Sequence, residues 1–214
     1  MTTVTNKQKA QRQAIDQAVD RLRQRSTIGP EVRLRVFGRN LIIVPPYYEV
    51  RVEDSSEPVG PADTILVLHY LRCESPVKAV GQWISFRDFP GGQFYWEPFR
   101  SRTVKPLVDC FGGDLDRLCR ALDVFDWEPF DAGDFAAKVQ AVGDISLILV
   151  YYRGDEEFPP EAEILFDAAA RHVYGAEDAA VLATRLCRGL INEPCVSCSE
   201  CGMCAARALN KSKI

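Results

Sequence analysis

Read for the spacing of its apolar positions, the chain opens with a helix over residues 6–25. Ala14, Ile15, Ala18, Val19 and Leu22 recur at helical intervals on one modest face, and Gly29-Pro30 stops the run. The period then changes to two. Residues 32–37 and 41–44 alternate around the turn Gly38-Arg39-Asn40, and a third strand over 48–52 follows Pro45-Pro46. This pattern predicts an antiparallel β-meander. Pro58 to Pro61 mark a loop, and a buried helix is expected over 62–73, with Asp63 near its start. Further helices are expected over 101–110, ended by Gly112-Gly113, and over 115–122, with Asp114 as N-cap. The continuous apolar run 145–152 is the best candidate for a central strand. Residues 161–171 and 177–190 read as closing helices, and Gly189 and Pro194 end the regular structure. The class is α+β: one main domain over 1–190, with an antiparallel meander and packed helices, and a short metal-binding tail over 191–214.

Composition adds constraints. Hydrophobic residues at 47% and charged residues at 26% place the chain among ordinary globular proteins. The N-terminus is polar and lacks the apolar core of a secretory leader. No apolar run approaches the roughly 18 residues of a membrane span. The expected location is the cytoplasm, where thiols stay reduced, so the eight cysteines call for something other than disulfides. Net charge is −4 but unevenly spread: residues 1–40 carry nine basic and three acidic side chains, and residues 114–178 carry five and sixteen. The basic residues of the first helix (Lys7, Lys9, Arg12, Arg21, Arg23, Arg25) lack interleaved aromatics and read as a solvated face. With the acidic middle, this argues against a nucleic-acid partner.

The strongest chemical signal is Cys195-Val-Ser-Cys198-Ser-Glu-Cys201-Gly-Met-Cys204, four cysteines at a constant spacing within ten residues. A C-x2-C-x2-C loop is able to curl around one face of a cubane and supply three thiolates. Gly202 permits close backbone approach, Val196 and Met203 could shield the sulfides, and Pro194 stiffens the peptide before Cys195. A 4Fe–4S cluster is therefore the favoured cofactor, with Cys204, a remote cysteine such as Cys187, or a partner subunit supplying the fourth ligand. Zinc is the alternative, although zinc knuckles usually come from separate parts of a chain. A redox C-x2-C pair lacks the surrounding βαβ pattern. Cys73, Cys110 and Cys119 sit on apolar helical stretches and read as core cysteines.

Other constellations have simpler explanations. Trp83, Phe86, Phe89, Phe94, Tyr95, Trp96 and Phe99 crowd into seventeen residues and could wall a ligand, but a core explains them without one and is the favoured reading. The acidic run Asp155-Glu156-Glu157 follows the expected central strand, where carboxylates bind cations, act as acid and base, or cap a helix. His69 and His172 have no motif partner and read as structural. No P-loop, G-x-G-x-x-G, H-E-x-x-H or G-x-S-x-G occurs, so no catalytic residue is assigned and enzymatic activity is left open.

Several stretches together carry a family resemblance: Ile65-Leu-Val-Leu-His-Tyr-Leu71, Gly81-Gln-Trp-Ile-Ser-Phe-Arg-Asp-Phe-Pro-Gly-Gly92, Gly154-Asp-Glu-Glu-Phe-Pro159, Ile164-Leu-Phe-Asp167 and Ala176-Glu-Asp178. Over residues 10–190 the chain resembles an uncharacterised prokaryotic family, a domain of unknown function common in anaerobes. The resemblance implies a compact α+β domain and an anaerobic setting, which suits an oxygen-sensitive cluster. It brings no activity and no catalytic residue, and the tail lies outside it. The expected function is an iron–sulfur accessory or electron-transfer protein of anaerobic metabolism, partnered by a redox enzyme or metalloenzyme. The alternatives are a ligand-binding protein or enzyme with a pocket between the aromatic segment and residues 155–157, and an interaction module with a zinc-stabilised tail.

Overall fold

Thr5 starts the first helix, α1 (Asn6–Arg23): its hydroxyl accepts the Gln8 N–H, and the Gln8 side chain accepts the Thr5 N–H in return. Ala18, Val19 and Leu22 form its buried side. The computed structural model describes residues 5–24, 31–53, 55, 59–73 and 77–192. The residues after α1 that were expected to stop it, Gly29-Pro30, lie outside this set, as does Pro58.

The expected meander is present as β1 (Val32–Val36), β2 (Arg39–Val44) and β3 (Glu49–Val52), paired antiparallel in that order. Its first turn is tight. Gly38 has φ +77, and a Cβ there would meet the Val124 carbonyl oxygen at 2.7 Å, so only glycine fits. Phe37 is also left-handed (φ 44), which drives its ring into the core edge-on to Phe125 at 6.1 Å. Helix α2 (Pro61–Leu71) follows, with proline in its first turn, and packs on α1.

The rest of the chain supplies β4 (Trp83–Ser85), α3 (Trp96–Arg102), α4 (Val104–Phe111), α5 (Leu115–Ala121), β5 (Trp127–Pro129), β6 (Phe135–Val142), β7 (Ile145–Tyr152), β8 (Glu161–Asp167), α6 (Ala170–Val173) and α7 (Ala176–Asn192). Among the described residues the strands form one antiparallel eight-stranded sheet, ordered β3-β2-β1-β6-β7-β8-β4, with β5 also on β6. Strand β7 lies between β6 and β8 and is buried from Ile145 to Tyr151, the central strand its apolar run predicts. Ile145, Leu147, Leu149 and Tyr151 face the main core. Ile148 and Val150 join a smaller cluster with Ala136 on the other face, against which Trp83, Phe130 and Leu165 pack. The whole is α+β with one main domain.

Three expectations are corrected. Residues 161–171 are not one helix but β8 followed by α6. Their composition suits a helix, but Ile164 and Phe166 alternate inward, and the segment pairs with β7 and β4. Tertiary pairing therefore overrides local preference. The helix expected over 101–110 is α3 and α4, broken at the buried Thr103, whose hydroxyl donates to the Phe99 carbonyl. Gly189 does not end α7. It lies inside the helix, where a Cβ would strike the Phe125 ring at 2.4 Å, so the position uses glycine for close packing rather than for termination. Asp114 caps α5 as expected, accepting the Arg117 N–H at 2.9 Å.

Candidate functional site

The four cysteines Cys195, Cys198, Cys201 and Cys204 lie outside the described residues. Described structure ends with α7 at Asn192, three positions before Cys195. Ala179, Leu182, Ala183, Leu186, Cys187 and Leu190 anchor that helix in the core, so its last turns are held firmly. Cys187 is 1% exposed, and burial pushes its thiol pKa well up. It is a neutral core side chain, unsuited to donate a thiolate. Cys119 is buried as expected, whereas Cys73 and Cys110 are half-buried. At Cys110 the Arg117 guanidinium donates to the carbonyl at 2.8 Å and to Sγ at 3.3 Å. No group of three or more His, Cys, Asp or Glu among the described residues is arranged to hold a metal ion.

A charged cluster lies two turns back from the end of α7. Asp63, 7% exposed, accepts from Arg185 Nε at 3.1 and 3.3 Å and is paired with Arg39 Nη2. These residues come from α2, α7 and the start of β2, so the cluster joins three elements. Two guanidiniums share one carboxylate, and Arg39 Nε is buried with no partner. The Arg185 guanidinium also rests 6.0 Å from the Phe37 ring centre. Arg188, one turn further along α7, is exposed.

At the other end of the α2–α7 packing, His69 Nδ1 lies 2.9 Å from Asp178 Oδ2. The pair joins the last turn of α2 to the first turn of α7. When neutral, the ring donates Nδ1–H to Asp178 and keeps its lone pair on Nε2. Sequence reading found no partner for His69 because the two residues are 109 positions apart. Nearby, Tyr174 is buried and donates to the Leu66 carbonyl. Burial first, then Asp178, raises its phenol pKa well above the ordinary value.

A concavity of about 720 Å³ opens at the β7–β8 connection, lined by Asp134, Tyr152, Arg153, Asp155, Phe158 and Glu161 among others. Its carboxylates are partly committed. Asp155 accepts the N–H groups of Phe158 and Glu157, which hold its pKa below the usual range, and Asp134 accepts the Arg153 N–H. The aromatic segment does not wall this space. Trp83 packs edge-on to Phe130 at 5.8 Å, and Trp96 stacks on Phe99 beneath the Arg87 guanidinium. Phe86, Phe89 and Phe99 are core, as the simpler reading expected, while Phe94 is 80% exposed.

The stretches that carried the family resemblance have backbone duties. The buried Asp167 carboxylate accepts N–H groups from Val80, Gly81 and Ala169 at 2.8–3.1 Å, pinning the segment before β4 to the end of β8. Ser85 and Asp88 form a capping box around a short 3-10 turn. A Cβ on Gly92 would lie 2.1 Å from the Phe86 carbonyl oxygen. These positions secure the fold.

A family model described as a domain of unknown function, DUF3786, matches residues 15–189. Neither the curated proteins nor the solved structures contain a match to the chain.

Proposed function

The chain belongs to the DUF3786 family, a domain of unknown function, and from that premise we propose that it is an iron–sulfur protein whose cluster is held on Cys195, Cys198, Cys201 and Cys204. The observation that carries the reading is the spacing of the four cysteines, one every third position over ten residues. Three such thiolates suit one face of a 4Fe–4S cubane, and the fourth completes it. One feature of the described domain bears on the ligand set: Cys187, the nearest remote cysteine, is a buried neutral thiol, which favours Cys204 over it as fourth ligand.

The role is electron transfer or assistance to a partner metalloenzyme in anaerobic metabolism, in the cytoplasm. No helix among the described residues is long and apolar enough to cross a membrane. The potential of such a cluster is set by hydrogen bonds to its sulfurs and by solvent exposure.

Purification without oxygen, followed by iron, acid-labile sulfide and zinc assays, tests this directly. The expected result is about four irons and four sulfides per chain with a broad visible chromophore. Zinc alone, without a chromophore, removes the iron–sulfur reading and leaves a zinc-stabilised tail. Cys204→Ser is expected to lower cluster retention, and Cys187→Ser to leave it unchanged.

A further inference from the structure

We propose that the concavity at the β7–β8 connection binds a small zwitterion with an apolar side chain, an amino acid or a short peptide, whose carboxylate meets Arg153 and whose ammonium meets Glu161. The site is independent of the cysteine segment and goes beyond the iron–sulfur reading.

The charges set the ligand class. Arg153 and Glu161 line the same space of about 720 Å³, a size within the roughly 300–1,000 Å³ of small-molecule sites. Both side chains are exposed, and neither joins an ion pair among the described residues. Asp134 and Asp155 line the space too, but each accepts backbone N–H groups, from Arg153 in the first case and from Phe158 and Glu157 in the second. One guanidinium therefore stands in a concavity with three carboxylates and pairs with none of them. A plain anion would face those carboxylates, and a plain cation would face Arg153. A zwitterion meets opposite charge at both ends, and the planar guanidinium fork suits a ligand carboxylate.

The rings set the apolar part. Phe158 is 66% exposed and Tyr152 45% exposed, and both line the concavity. Tyr152 is the cross-strand partner of Glu161, so its ring and that carboxylate share one face of the sheet. Phe158 is held by a fixed loop: its N–H donates to the Asp155 carboxylate at 2.8 Å, and its carbonyl accepts the Asp155 N–H at 2.9 Å. Gly154, at φ +76, lets the loop close, because a Cβ there would lie 2.5 Å from the Pro160 nitrogen. The Arg153 stem rests on the turn between α4 and α5, where a Cβ on Gly113 would lie 3.4 Å from its Cγ. Two aromatic rings are thus held open to water on a preorganised wall, ready to bury an apolar ligand group.

The experiment is calorimetric titration of the full chain, purified without oxygen, with four probes. L-Phenylalanine and L-alanyl-L-phenylalanine are zwitterions, N-acetyl-L-phenylalanine lacks the ammonium, and L-phenylalaninamide lacks the carboxylate. Wild type is expected to bind at least one zwitterion, and the tighter of the two identifies a free amino acid or a peptide as the source. The two singly charged probes are expected to bind about tenfold more weakly. Arg153→Gln is expected to weaken the zwitterion about tenfold and leave L-phenylalaninamide unchanged, whereas Glu161→Gln weakens the zwitterion and leaves N-acetyl-L-phenylalanine unchanged. Lys105→Gln, exposed on α4, is the control expected to bind as wild type does. Arg153 and Glu161 are exposed, so both variants are expected to keep the wild-type urea midpoint. No binding of either zwitterion at millimolar concentration overturns the site, and so does equal affinity for all four probes or binding that both variants leave unchanged. Iron and sulfide are assayed on the same preparations, so the cluster and this site stand or fall separately.

Discussion

Asp167 and Asp126 show how differently one carboxylate is used at two depths. Asp167 is 1% exposed and is held by backbone N–H groups from two separate segments. Asp167→Asn turns an amide donor toward those N–H groups and is expected to cost about 3 kcal/mol, read as a lower urea midpoint with unchanged slope. Asp126 is half exposed and pairs with Arg35 through two hydrogen bonds of 2.6 and 3.0 Å, which hold its pKa below the ordinary value. A depressed carboxyl stabilises the fold above its unfolded pKa of about 3.9, and the contribution is lost as pH falls through the lower folded value. Solvent screening keeps it below about 1 kcal/mol. The stability gap between wild type and Asp126→Asn is therefore expected to be small at pH 7 and to close on acidification toward pH 3. The same attention to depth applies to Cys187: its buried thiol is expected to resist alkylation in the native protein and to react after unfolding, as mass spectrometry would show.

At the scale of the element, what could be read from the sequence follows the strength of each local signal. Residues 145–152 carry a β-prone run that is apolar but for Ser146, and β7 is where that run places it. In β8 the sequence Glu-Ala-Glu-Ile-Leu-Phe-Asp is tolerable as helix or strand, and only the partners β7 and β4 decide. Strand β6 gives little signal because three of its eight residues are alanine. Ala137 and Ala141 are nevertheless fully buried on the core face, where packing calls for small side chains. Phe166 makes β8 indispensable: it meets the Phe89 ring edge-on at 5.1 Å and is fully buried. Phe166→Ala is expected to cost about 3–5 kcal/mol in chemical unfolding. A loss below 1 kcal/mol would contradict the placement of this strand in the core.

For the whole molecule, the matched family region ends at residue 189, ahead of the cysteines. Termination after Asn192 is expected to leave the unfolding midpoint within a degree or two of the intact chain, because the anchoring side chains of α7 end at Leu190, and to abolish iron retention. The sequence by itself determined the α+β class, the meander, the central strand and the spacing that makes four thiolates a metal-binding candidate. Each of these is a local pattern, legible within a few residues. Tertiary structure alone decided that residues 161–167 pair as a strand, that His69 meets Asp178, and that Arg39 and Arg185 converge on Asp63. Those partners are 109, 24 and 122 positions apart, and no local period encodes a contact between such distant segments until helices and sheet bury a common core.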